Sequence, residues 1–241
     1  MANALQVSVI MPVRGRRSLV AAALRSYCQQ TWDCREIVIV DDSDPEDDLS
    51  DLFSNIPNVV YIVPYIKLGD ERLSIGSKRN LGIEASHGDI VTVWDSDDIF
   101  APERITQQVY TLLKTERMLT GYFAMSLFDL TNFKAHRYFL NRQYACGASM
   151  SFQKQWWRDH PYPDQDIGED LDYATGHPAE LAATDGTSMM VCLLHDSNVS
   201  SRDQVARHPC QFPEIPLARL PDYCFRYLNE AGIVYNPSAV C

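Results

Sequence analysis

The sequence predicts an α/β fold: a Rossmann-like, doubly wound, mostly parallel sheet followed by a more irregular second half. Three observations carry that prediction. Short apolar runs alternate with stretches of helical periodicity over the first 120 residues, the mark of successive βα units. The runs are apolar at nearly every position, as strands covered on both faces must be. Two acidic clusters, at 41–44 and 95–98, directly follow two of the runs, at the strand ends where open α/β sheets bind ligands.

Val7-Ser8-Val9-Ile10-Met11 reads as the first buried strand, stopped by Pro12, which has no N–H for a ladder. Ser18 is the expected N-cap of the first helix, with Leu19, Ala23, Ser26 and Tyr27 at helical spacing. Glu36–Val40 is the second strand and breaks into the turn Asp41-Asp42-Ser43-Asp44-Pro45; Val59–Val63 is the third, ended by Pro64. Ser77 is expected to open a short helix through Lys78, Leu81 and Ala85, closed by Gly88. Asp89–Trp94 forms the fourth strand and runs into Asp95-Ser96-Asp97-Asp98. A helix after Pro102 places Ile105, Val109, Leu112 and Leu113 on one face.

Beyond residue 120 the pattern loosens into aromatic-rich chain punctuated by Pro and Gly. No low-complexity linker, repeat or charge block divides it, so one domain over 1–241 is expected. Residues 200–241, with Pro209, Pro213, Pro216 and Pro221, read as a lid or an interface.

Composition narrows the function. The 241 residues are 46% hydrophobic and 22% charged, with 21 Lys and Arg against 32 Asp and Glu, a net charge of −11. That balance disfavours affinity through general attraction to a nucleic-acid backbone. No apolar run approaches the roughly 18 residues of a membrane span. The basic residues of MANALQVSVIMPVRGRR follow its apolar stretch, the reverse of a secretory signal, which predicts a cytoplasmic protein. Seven scattered cysteines without a C-x-x-C pair fit free thiols in a reducing compartment better than disulfides or a zinc knuckle.

Asp95-Ser96-Asp97 carries the first chemical signal. Residues i and i+2 of extended chain face the same side, so both carboxylates can address a divalent cation that also grips a diphosphate. Taken alone, the triplet reads sooner as a solvated turn; its position at the mouth of a parallel sheet shifts the reading toward function.

The ordered set is more specific. Val7–Val13, Glu36–Ser43, Gly76-Ser77-Lys78-Arg79-Asn80-Leu81-Gly82, Asp95–Asp98, Gly147–Phe152, Gly168-Glu169-Asp170 and His195-Asp196-Ser197-Asn198 occur in sequence. Together they resemble the family 2 glycosyltransferases, inverting enzymes with a GT-A fold, over roughly residues 5–200. The resemblance implies a nucleotide-sugar-binding half at 1–120 and an acceptor-binding half at 121–241. The implied donor is a nucleoside-diphosphate sugar, most simply a UDP-sugar. The implied acceptor is a glycan, a lipid-linked sugar, a protein or a modified nucleobase.

Residue by residue, the resemblance puts Pro12, Asp42, Arg79 and Asp95 at the donor. Asp42 would meet uracil or ribose, Arg79 the diphosphate, and Asp95 ribose or the outer shell of the metal. Asp97 would bind Mn2+ or Mg2+ directly, and His195 would be an added ligand or a core residue. Asp170 would be the general base that takes the acceptor hydroxyl's proton, with Glu169 positioning acceptor or loop and Asp166 and Asp172 as alternative bases. Lys78 either joins Arg79 or lies on a solvated helix face, and Asn80 caps or braces the loop.

Trp156 and Trp157 read as core packing ahead of a sugar platform. Arg14, Arg16 and Arg17 stand where the family usually carries small or polar residues; they bind phosphate or form a solvated loop. Two other readings compete: a nucleotide-sugar-binding protein without turnover, which retention of Asp95, Asp97, Asp170 and His195 opposes, and a sugar-phosphate nucleotidyltransferase, which lacks its Gly-rich phosphate loop here.

Overall fold

The computed structural model describes residues 5–65, 72–198, 205 and 211–233. The first half is a parallel sheet of four strands: β1 (Val7–Val13), β2 (Arg35–Asp41), β3 (Val59–Ile62) and β4 (Ile90–Val93), in the order β3-β2-β1-β4. Every residue of β1 is buried. Val9 and Met11 pack with Val20, Ala23 and Leu24 of α1 (Arg17–Cys28) and Ile105 and Val109 of α4 (Arg104–Thr115). Ile10 points the other way, to Ile83 of α3 (Ile75–Ala85). Alternate residues of one strand therefore serve two layers, each fully buried aliphatic side chain contributing about 1.5–3 kcal/mol. Between β2 and β3 lies a short α2 (Ser50–Phe53), whose Phe53 joins the α1 layer.

The chain leaves β1 toward β2 in one direction and reaches β4 on β1's other side, so the strand order switches between β1 and β4. Ligands of doubly wound sheets collect beyond the strand ends at such a point. Pro12-Val13 and Trp94-Asp95 meet there.

The second half adds β5 (Asp98–Phe100), β6 (Leu119–Asp129), β7 (Lys134–Phe139), β8 (Ser151–Gln153), β9 (Leu181–Asp185), β10 (Met190–Leu194) and β11 (Glu214–Ile215). β8 runs antiparallel between β4 and β6, joining the two halves into one sheet. β9 and β10 lie parallel to β6, and β7 antiparallel. β5 pairs antiparallel with β10, setting Asp98 opposite Cys192. That register carries the acidic motif to the chain entering His195. A short α5 (Lys154–Trp157) follows β8. Near the C-terminus, α6 (Asp222–Glu230) buries Tyr223, Cys224, Tyr227 and Leu228 against Ala22 and Ile99.

Several local expectations are corrected. β1 continues through Pro12, which stands opposite Val40. Pro12 has the parity of Ile10, whose carbonyl accepts from the Trp94 N–H, so its missing N–H falls where β4 has already ended. Ser18 lies inside α1; the cap position belongs to Arg16, in the left-handed region at φ 59°. α3 begins at Ile75, capped by Ser74, whose hydroxyl accepts from the Ser77 N–H. It ends at Ala85, ahead of Gly88. The third and fourth strands are shorter than expected, Val59–Ile62 and Ile90–Val93.

Leu113 is 54% exposed: eight residues beyond Ile105 it lies about 80° round the helix, off the buried stripe. Within the stretch expected to form a lid or an interface, residues 222–230 form a helix that packs one face into the core; Pro209 lies outside the described residues. Cys28, Cys146, Cys192 and Cys224 are free thiols, and Cys210 and Cys241 fall outside the description. Among the described residues no helix is long and apolar enough to cross a membrane.

Candidate active site

A cavity of about 660 Å³ opens at the strand-order switch, within the range of small-molecule sites. Its walls include Pro12, Lys78, Arg79, Asp95, Asp97, Glu169 and Asp170. Residues ninety positions apart thus face one space.

Arg79 organises the floor. Its Nη1 donates to Glu169 Oε1 at 2.6 Å and its Nη2 to Asp95 Oδ1 at 3.0 Å. The guanidinium also lies over the Tyr162 ring, 5.3 Å from its centre. Burial would weaken the Arg79 charge, but Asp95, Tyr162 and Glu169 outweigh it and raise its pKa. Burial pushes Glu169 up to about 7, against the pull of Arg79. Burial also raises Asp95, Arg79 opposing and Asp97 reinforcing.

The acidic motif's other carboxylate has different partners. Asp97 Oδ2 accepts from Arg16 Nη1 at 2.5 Å and lies 3.1 Å from His195 Nε2. Burial opposes its ionisation, yet the His195 hydrogen bond and the Arg16 charge hold Asp97 below its ordinary value. Arg16 Nη2 also donates to Ser96 Oγ at 3.2 Å. Ser197 Oγ sits 2.9 Å from His195 Nδ1, and Asn198 Oδ1 accepts from the His195 backbone N–H, fixing the ring as an outer partner fixes a metal-binding histidine. Next to them, burial raises Asp98 well above its usual range, while its Oδ1 accepts from the Leu193 N–H.

Asp97 and His195 could hold a cation. Two neighbouring ligands of an octahedral ion, each about 2.1 Å from it, stand about 3 Å apart, close to the 3.1 Å between Oδ2 and Nε2. A carboxylate with an imidazole suits Mn2+ better than Mg2+. Among the described residues no group of three or more His, Cys, Asp or Glu is arranged to bind an ion. An ion here would take its remaining ligands from water or from a bound phosphate.

Asp170 stands on the opposite stretch, half-buried. Among the described residues its carboxylate has no hydrogen-bond partner, its backbone carbonyl alone accepting, from the Ala174 N–H. Gly147 leaves the room it occupies.

Asp42 lies behind the wall. Lys78 Nζ donates to its Oδ1 at 2.8 Å with both side chains buried, so Lys78 is not on a solvated face. Arg72 donates to the Asp42 carbonyl and to Asp44. Asp42 Oδ2 is buried without a partner among the described residues, and the side chain has no exposed surface, so Asp42 supports Lys78 from behind and does not line the cavity where uracil or ribose was expected to meet it.

Asn80 braces the loop: its Nδ2 donates to the Tyr162 carbonyl, and its Oδ1 accepts from the Trp157 indole and the Tyr162 N–H. Trp156 is buried in the core, stacked on His160. Of the three arginines, Arg14 and Arg16 line the cavity, whereas Arg17 pairs with Asp51 and donates to the Asp48 carbonyl. Asp166 lines the rim and caps α3 by accepting from the Ile75 N–H; Asp172 pairs with His177.

Tyr162 and Arg72 have no assigned part in the sequence reading. Tyr162 sits in a Pro-rich loop without periodicity, and Arg72 precedes α3 outside any motif.

The sequence model of glycosyl transferase family 2 matches residues 8–176, well over half the chain. The chain belongs to glycosyl transferase family 2. Relatives of the chain include the Bacillus subtilis protein EpsH, named a glycosyltransferase, 30% identical over 121 residues. That match covers 49% of the chain and 34% of EpsH. An uncharacterized glycosyltransferase of Haemophilus influenzae is 26% identical over 116 residues, covering 47% of the chain and 45% of the relative. The chain thus spans less than half the length of either relative.

Among solved structures, S. aureus TarS 1–349 in complex with UDP superimposes with a TM-score of 0.62 at 16% identity, over 79% of the chain and 61% of TarS. The UDP-GlcNAc complex of the same protein gives 0.59 over 80% and 60%. At that identity the likeness establishes the fold, GT-A.

Proposed function

We propose that this glycosyltransferase moves a sugar from a UDP-sugar to an acceptor hydroxyl with inversion, using a divalent cation held by Asp97 and His195. The observation that supports this reading is the cavity shared by Asp97 on one stretch and, on another, Asp170, whose carboxylate has no hydrogen-bond partner among the described residues. The UDP and UDP-GlcNAc complexes of TarS support the choice of donor.

In this reading Asp170 accepts the proton of the acceptor hydroxyl as that oxygen attacks the anomeric carbon, the diphosphate leaving on the far face. A base in that place is worth about 10²–10⁴-fold in rate. Arg79, paired with Asp95 and Glu169, holds donor-side and acceptor-side carboxylates in register. Glu169, pushed up to about 7, stays partly protonated near neutrality and can donate as well as accept hydrogen bonds. When bound, the cation neutralises charge on the departing diphosphate.

The test is UDP release from a panel of UDP-sugars with Mn2+, with chelator, and in Asp170→Asn. Expected is release that needs the ion and falls at least about 100-fold in the variant while UDP still binds. Unchanged turnover in Asp170→Asn removes the base, and binding without turnover in the wild type favours a donor-binding protein.

A further inference from the structure

Arg16 is placed oddly for a loop residue. Gly15 and Arg16 both have left-handed backbones, at φ 57° and 59°, conformations that glycine adopts freely and arginine does not. Gly15 is tied down by its N–H, which donates to Ser43 Oγ at 2.7 Å. Arg17 is anchored outward by Asp51. The result aims the Arg16 fork inward, one nitrogen on Asp97 Oδ2 and the other on buried Ser96 Oγ.

The oxygen so occupied is the one that lies 3.1 Å from His195 Nε2, the pair assigned above to the cation. A guanidinium and a divalent ion sharing Asp97 Oδ2 would set like charges a few ångströms apart in a partly buried site, where they repel strongly. An ion arriving at Asp97 therefore drives Arg16 away from it. Its side chain is 27% exposed and borders the cavity, so it has room to turn. A diphosphate gripped by the same ion offers the two oxygens that an arginine fork fits.

We infer that Arg16 is a resident counter-charge that holds Asp97 in the donor-free protein and passes to the donor's diphosphate when cation and donor bind together. The inference rests on the cation reading of Asp97 and His195 and deepens it. Its consequence is coupling. An ion alone must displace Arg16 and leave it without a carboxylate partner, whereas an ion arriving with the diphosphate gives Arg16 a new anion. Each ligand then strengthens the other by the same factor, as linkage requires. Arg16 acts as a positioning residue and gates the site against ions that bring no donor.

Mn2+ titration, read from the EPR signal of the free ion, tests this on wild type, Arg16→Gln and Arg16→Lys, with and without UDP. A protein-free Mn2+–UDP titration is subtracted, and thermal melting verifies that each variant folds. In the wild type, UDP is expected to tighten Mn2+ binding at least about tenfold, a common size for coupled sites. Arg16→Gln is expected to bind Mn2+ alone about fivefold or more tighter than wild type and to lose most of the UDP effect. Arg16→Lys, which keeps the charge but not the fork, is expected to stay near wild type without UDP and to gain less from it.

An Arg16→Gln protein whose Mn2+ affinity without UDP is unchanged or weaker overturns the inference. So does equal tightening in Arg16→Gln and Arg16→Lys, which would trace to a loosened loop rather than to charge. If no protein binds Mn2+ even with UDP, the cation reading itself falls and takes the inference with it. That outcome is recognisable because wild type and variants then behave alike.

Discussion

Gly147 and Asp170 touch so closely that a Cβ on Gly147 would stand 1.7 Å from Asp170 Oδ2. The carboxylate rests against a bare Cα, and its direction into the cavity depends on that residue having no side chain.

Gly147→Ala is therefore expected to push the Asp170 carboxylate out of place while leaving the donor-side residues untouched. Displacement of a reacting group by about 1 Å costs about 100-fold in rate. Steady-state kinetics should show kcat falling by about that factor with UDP affinity within about threefold of wild type. Equal loss of kcat and UDP binding would mean that Gly147 supports the cavity as a whole.

Glu169 should leave a trace in stability against pH. Its folded value of about 7 exceeds the ordinary value of 4.5, so the folded state binds more protons than the unfolded state between these values. Stability from this group is intact below about pH 4.5 and is lost as pH rises through 7, by at most about 3 kcal/mol. Urea unfolding of wild type and Glu169→Gln from pH 4.5 to 8.5 should give profiles that diverge across that window. Parallel profiles would contradict the shift.

Lys78 and Asp42 form a buried pair, and removing one member of such a pair costs about 3–5 kcal/mol because the other charge is left unpaired. Lys78→Met should lose about that much stability, and Lys78→Met with Asp42→Asn should recover part of it. A double-mutant cycle by urea unfolding measures the coupling; additive losses would deny the pair.

Asn80 joins α3 to the loop that carries Tyr162. Asn80→Ala breaks three hydrogen bonds and is expected to cost about 1–3 kcal/mol. It should also speed amide exchange around residues 160–170, which hydrogen exchange reads directly; exchange unchanged there would show that the loop is held otherwise.

How much of this was legible in the sequence follows from what each residue faces. Strands β1, β2 and β4 could be read because both of their faces are buried, so their apolar runs are continuous. The start of α1 could not: Arg16 reaches the cap position through a left-handed backbone and a pull toward Asp97, neither of which leaves a local mark. β5 hides in the last residue of the acidic motif and exists because Asp98–Phe100 finds β10 nearly a hundred residues later. Lys78 stays open in the sequence between the diphosphate and a solvated helix face because helical periodicity cannot show a buried carboxylate at the end of another strand. In the site, motif order brought Asp95, Asp97, Glu169, Asp170 and His195 together, since each sits at or just beyond the end of a strand or in a fixed loop. Tyr162 and Arg72 join the site through tertiary packing, which no spacing encodes.

The most direct measurement is a crystal structure with Mn2+ and UDP. The account predicts the ion on Asp97 and His195, the diphosphate on the ion with Arg16 turned from Asp97 to meet it, and Asp170 facing the vacant sugar position. An ion remote from Asp97, or UDP bound outside this cavity, would contradict it.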